Sequence, residues 1–219
     1  GSISSTVSAS ATSGFSIVSW NGNSGTIGHG LGVKPAMIIV KSRQTANNWV
    51  VMHKGLTGGM DTNILVLNGT GAEGGGGAGM AEPTSSVFTI TGGLAANDNN
   101  IAYCFADVQG FSKFGSYVGN GSTDGTFVYT GFKPAFVMFK NTTGNNWGII
   151  DNKRDSYNGA LHRLSPNTNG ADNTGAGVVI DFLSNGFKCR NADGLENGAA
   201  EIIYMAFAEQ PLVGDNPAT

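Results

Sequence analysis

Charge is scarce in this chain. Asp, Glu, Lys and Arg together make up 12% of its 219 residues, against a usual share of about 25%. Long solvated helices need a Glu/Lys surface, and the 35 Gly and 22 Asn present instead are poor helix formers. Twelve basic residues against 15 acidic ones leave a net charge of −3, so a broad basic footprint for nucleic acid is excluded. Only two Cys occur, too few for a disulfide scaffold or a Cys zinc site. Both lie among apolar neighbours, in Ile101-Ala102-Tyr103-Cys104-Phe105 and Gly186-Phe187-Lys188-Cys189, and read as buried free thiols. No run approaches the ~18 apolar residues of a membrane-spanning helix. Gly1 to Ser8 lacks the basic and apolar regions of a signal peptide, so any extracellular role is expected to be reached by another route. Hydrophobic residues nevertheless reach 40%, which is a folding composition. The chain reads as all-β and loop-rich.

An internal repeat stands out. Gly32-Val33-Lys34-Pro35-Ala36-Met37-Ile38-Ile39-Val40-Lys41 returns as Gly131-Phe132-Lys133-Pro134-Ala135-Phe136-Val137-Met138-Phe139-Lys140. Gly14-Phe15-Ser16 pairs with Gly110-Phe111-Ser112, Gly22-Asn23 with Gly119-Asn120, and Asn48-Trp49 with Asn146-Trp147. Asn68 matches Asn167, and Phe88 matches Phe187. A repeat of this length predicts a tandem duplication. Within each copy, β-branched and aromatic runs are separated by Gly, Asn and Pro. Met37 to Val40 and Phe136 to Phe139 are continuously apolar, as strands covered on both faces are. The expectation is two tandem β-sandwich (jelly-roll-like) repeats at 14–109 and 110–211, with extended terminal segments at 1–13 and 212–219.

Chemistry-bearing motifs are few. Gly74, Gly76 and Gly79 form a G-x-G-x-x-G, but Met80-Ala81-Glu82-Pro83 follows rather than a helix, so a surface loop is predicted. His29, His53 and His162 are far apart in sequence, and no metal site is expected. Asp151 and Asp155 are the nearest thing to a carboxylate pair, in an alternating-charge stretch that reads as a salt-bridged turn. The Asn120-Gly121-Ser122-Thr123-Asp124-Gly125 loop is rich in oxygen yet poor in carboxylates, and reads as a turn rather than a calcium site. Trp49 and Trp147, each followed by apolar residues, are expected inside.

On Gly14-Phe15-Ser16-Ile17-Val18-Ser19-Trp20, Gly28-His29-Gly30-Leu31-Gly32-Val33-Lys34-Pro35, Gly110-Phe111-Ser112-Lys113-Phe114-Gly115-Ser116-Tyr117, Asn120-Gly121-Ser122-Thr123-Asp124-Gly125, Asp181-Phe182-Leu183-Ser184-Asn185-Gly186-Phe187-Lys188 and Tyr204-Met205-Ala206-Phe207-Ala208-Glu209, the chain resembles a family. It is an uncharacterised domain family of tailed-phage virion proteins, tail-fibre-like or lectin-like and common in marine phages. The resemblance implies a non-enzymatic structural module of a tail fibre or appendage, without cofactors, at the C-terminal end of a longer protein. It implies a place in the extracellular virion after assembly in the host cytoplasm, with other virion proteins as partners and host-surface glycan as a target. Closed symmetry is the norm for homo-oligomers, and a trimer is expected. A purely structural role, as capsid decoration or fibre spacer, is the alternative. A sugar site needs an aromatic face beside fixed polar groups. That pairing occurs at Tyr117, Asn120 and Asp124, with Trp20 and Asn23 as the first-repeat counterpart.

Overall fold

The computed structural model describes residues 1–75, 80–92, 94–155, 157–175, 177 and 179–209. Residues 212–219, and with Gly76 and Gly79 most of the glycine motif, lie outside them. Sixteen strands follow one another: β1 (Ser5–Ser10), β2 (Phe15–Asn21), β3 (Gly25–Gly28), β4 (Met37–Ser42), β5 (Val50–His53), β6 (Asn63–Val66), β7 (Gly74–Gly75), β8 (Val87–Ile90), β9 (Asn99–Phe105), β10 (Ser112–Val118), β11 (Phe127–Tyr129), β12 (Pro134–Asn141), β13 (Trp147–Asp151), β14 (Ile180–Leu183), β15 (Gly186–Cys189) and β16 (Glu201–Ala208). The fold is all-β, built of several small antiparallel sheets. The chain divides into two compact units: Gly1–Asn68 with Glu73–Asp107, and Gly69–Ala72 with the chain from Val108 onward.

In the first unit, a seven-stranded sheet runs β1-β2-β9-β4-β5-β6-β7, beside a two-stranded β3-β8 sheet. Along a strand, side chains alternate between faces. Val18 and Trp20 of β2, Ile38 and Val40 of β4, and Ala102 and Cys104 of β9 therefore share one face. They form a single buried cluster with Ile27, Phe88 and Ile90 of the small sheet. Burying each large apolar side chain is worth about 1.5–3 kcal/mol, and this cluster is what holds the two sheets together. The segment at 1–13 is not a free extension: β1 pairs in register with β2, Ser5 opposite Trp20 through Ser10 opposite Phe15. His29 is fully buried, its Nδ1 accepting from the Leu31 N–H at 3.2 Å and its Nε2 lying 3.2 Å from the Thr84 carbonyl. Burial lowers its pKa.

The second unit has a four-stranded sheet, β10-β16-β12-β13, and a three-stranded one, β11-β15-β14. Val137, Phe139, Ile150, Ile202, Tyr204 and Ala206 cluster with Val128, Phe182 and Phe187. Met37 lies opposite both Phe105 and His53, and Phe136 opposite both Phe207 and Asp151. The first strands differ from the sequence match by one step, because Phe15 faces Phe105 whereas Ser112, not Phe111, faces Phe207. A bridge between Val108 and Ser112 takes up the extra residue. Cys104 and Cys189 are free and buried, and desolvation pushes each thiol up to about 12.

Candidate functional site

Trp20 and Tyr117, the two aromatics predicted to meet a sugar, both point inward and lie in the cores of their units. Trp20 is 4% exposed, donates from Nε1 to the Gly22 carbonyl at 3.0 Å and meets Phe88 edge-on. Tyr117 is 8% exposed, packs edge-on to Phe187, and donates its hydroxyl to the Glu196 carbonyl at 2.6 Å. Neither ring offers a free face. Asn23 is half-buried in the turn after β2. Asn120 is spent on its own loop: Nδ2 donates to the Asp124 carbonyl at 3.0 Å and Oδ1 accepts from the Ser122 N–H at 3.0 Å. Asp124 is paired with Lys188 at 2.8 Å, and that ammonium holds its carboxyl below the usual range. Asn120 Oδ1 also accepts from Asn197 Nδ2 at 3.0 Å, so Asn120 is committed internally, whereas the Asp124 carboxylate is 86% exposed.

What sequence reasoning missed is the same end of the first unit, on the side away from its core. Here β1 begins, β2 and β4 end, and β9 starts. A groove of about 450 Å³ is lined by Ser4, Thr6, Ser19, Trp20, Asn21, Arg43 and Asn99. Each lining group is placed by a strand end: Thr6 lies opposite Ser19, and the Arg43 N–H donates to the Asn99 carbonyl at 2.8 Å. The Arg43 guanidinium makes no ion pair among the described residues. Farther along the same face of β9, Tyr103 stacks on Trp49, centroids 6.4 Å apart and planes 18° apart, both half-buried. The sequence signal for this pair was the Asn-Trp at 48–49. The Trp49 backbone N–H donates to Asn68 Oδ1 at 2.8 Å, and its ring is half-buried rather than in the core where it was expected.

The second unit carries its polar groups differently. Arg163, 7% exposed, donates to Glu196 Oε2 at 2.6 Å, and Glu196 is wholly buried. Desolvation raises the Glu196 pKa to about 7 against the pull of Arg163. Asp155 accepts from the Leu161 and His162 N–H groups and lies 2.7 Å from His162 Nδ1. Although partial burial opposes ionisation, these bonds hold its carboxyl below the usual range. Asp151 braces the turn after β13, accepting from the Lys153 and Arg154 N–H groups and from Arg154 Nε. It and Asp155 are thus both occupied within the turns around them. Among the described residues, no three His, Cys, Asp or Glu side chains are placed to hold a metal ion.

A family match covers residues 1–211, and so both units. The chain belongs to the DUF7483 family, a domain of unknown function. No curated protein and no solved structure matches it. In this DUF7483 chain the geometry therefore carries the functional argument: an open polar groove with a neighbouring aromatic pair in the first unit, and loops whose carboxylates pair with neighbouring cations and N–H groups in the second.

Proposed function

We propose that the chain is a non-enzymatic virion module of a phage tail fibre or appendage, facing outward and contacting host-surface glycan through its first unit. The sequence resemblance to tailed-phage virion domains supports the setting. The groove supports the ligand class. Hydroxyl, amide and guanidinium groups match sugar hydroxyls, and the Trp49–Tyr103 pair offers partly open aromatic surface for the C–H side of a pyranose ring. Asn99 and Tyr103 are four residues apart on one strand face, roughly 13 Å, so an extended oligosaccharide fits this surface better than a single sugar.

We also propose that the units are two copies of one sandwich. The strand order β2-β9-β4-β5 with β3-β8 corresponds to β10-β16-β12-β13 with β11-β15. Matching asparagine clamps support the same reading: Asn68 holds the Trp49 N–H and Asn167 holds the Trp147 N–H at 3.0 Å. The burial of Trp20 and Tyr117 favours the rival reading, a capsid decoration or fibre spacer with no receptor role. Placing the chain in a reconstructed particle tests the proposal. A position at the outer end of a tail appendage, as a trimer, is the expected result, and one buried within the shell or tail tube overturns it. Turnover of a host polysaccharide by the isolated protein would overturn the non-enzymatic part.

A further inference from the structure

The chain has four arginines, and three of them are spent on carboxylates. Arg154 Nε lies 2.7 Å from Asp151, Arg163 Nη1 2.6 Å from Glu196, and Arg190 Nε 3.2 Å from Asp181. Arg43 makes no ion pair among the described residues, and its side chain is exposed in the groove of the first unit. The backbone beneath it is firmly held. Besides the bond from the Arg43 N–H to the Asn99 carbonyl, the Asn99 N–H donates to Gln44 Oε1 at 3.2 Å. Ser42 Oγ accepts from the Thr45 N–H at 2.8 Å. The guanidinium is thus carried by a fixed stretch of chain while its own donors stay open.

The rest of the groove is neutral. Ser4, Thr6, Ser19, Asn21 and Asn99 bring hydroxyls and amides, and no acidic side chain lines it. Asp98, next to Asn99 in the chain, stands outside the lining. Its carboxylate accepts from the Ser42 and Thr45 hydroxyls at 2.5–3.0 Å. The groove therefore presents one unpaired positive charge among neutral hydrogen-bonding groups. A guanidinium is planar and always charged, and its fork of donors matches a carboxylate with two parallel bonds. One cation balances the single charge of a sugar carboxylate. A phosphomonoester carries nearly two negative charges at pH 7, and the second would find no cation in this lining.

We infer that the groove selects acidic glycans, taking a sugar carboxylate on the Arg43 guanidinium and the neighbouring hydroxyls on the surrounding Ser, Thr and Asn side chains. The inference rests on the glycan reading of this groove and names its ligand class. Asn99 and Tyr103 share a strand face, so an acid anchored beside Asn99 directs the rest of the glycan along β9 toward the Trp49–Tyr103 pair.

The test uses the full chain and a panel of bacterial surface polysaccharides. Each is presented in its native form and after carboxyl reduction, which turns the carboxylate into a primary alcohol and leaves the rest of the sugar intact. Binding to carboxylated glycans should fall about tenfold on reduction. Arg43→Gln, folded by circular dichroism, should lose the same factor on the native forms and bind native and reduced forms alike. Arg43→Lys, which keeps the charge without the fork, should fall between them. Neutral or sulfated glycans bound as tightly as carboxylated ones would overturn the inference and leave the glycan reading standing. So would an Arg43→Gln variant that still prefers the native forms. No binding to any glycan, native or reduced, would overturn that reading and this inference together.

Discussion

Lys41 and Lys140 each stand near the end of an apolar strand, one in each unit, yet they live in different surroundings. Lys41 is half-buried and donates to the Thr45 carbonyl at 3.1 Å. Lys140 is fully buried, its ammonium ringed by the carbonyls of Asn141, Gly144 and Asn145 at 2.6–3.0 Å and that of Thr70 at 3.5 Å. Burial pushes it down to about 8. The loop that follows is one residue shorter in the second unit and holds Asn145 at φ +76°, a left-handed turn that Asn tolerates and that turns its carbonyls inward. The tryptophans after these loops diverge in the same sense, Trp49 half-buried and Trp147 only 1% exposed. The two loops differ in whether they leave that strand end open to solvent or close over it. The first unit is open at this end and the second is sealed.

The largest expected contrast lies in those tryptophans. Trp147→Ala should cost about 3–5 kcal/mol, as deletion of a fully buried aromatic does, and Trp49→Ala less than half of that. Denaturant midpoints of the two variants check it, and equal losses would break the comparison. Next comes pH, through a group only the sealed unit has. The Glu196 pKa rises from 4.5 to about 7 on folding, so between those values the folded chain holds a proton that the unfolded chain has lost. The Glu196 contribution to stability is therefore full at and below pH 4.5 and falls as pH rises to 7, by up to about 3 kcal/mol, while the lowered pKa of buried His29 works in the opposite direction. Unfolding curves at pH 5 and 7 should show the fall, and Glu196→Gln should flatten it. Smallest are the clamps. Asn68→Ala and Asn167→Ala should each cost ~1 kcal/mol, more for Asn167, whose bonds are the less exposed. A neutral result at both would sharpen the comparison by assigning the matched Asn-Trp spacing to the strands alone.

Much of the frame was legible because its signals are local. Continuous apolar runs at Met37 to Val40 and Phe136 to Phe139 marked the central strands, and apolar neighbours marked the thiols. The segment at residues 1–10 was not legible as a strand. Its β1 part is exposed on both faces, so it carries no alternation, and only its pairing with β2 makes it one. The inward direction of Trp20 was not legible for a related reason. In Ser16-Ile17-Val18-Ser19-Trp20 both faces carry apolar residues, so period two could not say which way Trp20 points. A turn of Gly and Asn beside it suited exposure, but the register put the ring inside. Arg43, Asn99 and Ser19 lie far apart in sequence and meet only because three strand ends converge. Glu196, in a Gly/Asn-rich stretch that reads as a turn, gave no local sign of being buried against Arg163.

Glycan binding by the full chain, compared between corresponding substitutions at the open and sealed ends, tests the account most directly. On an array of host-surface glycans, Arg43→Ala and Trp49→Ala should each weaken binding about tenfold, the loss expected of a bidentate polar contact or a stacked ring. Thr142→Ala, at the place in the second unit that corresponds to Arg43, should leave binding unchanged. Binding that survives both first-unit substitutions in folded protein, or no binding by the unaltered chain to any glycan, would contradict it.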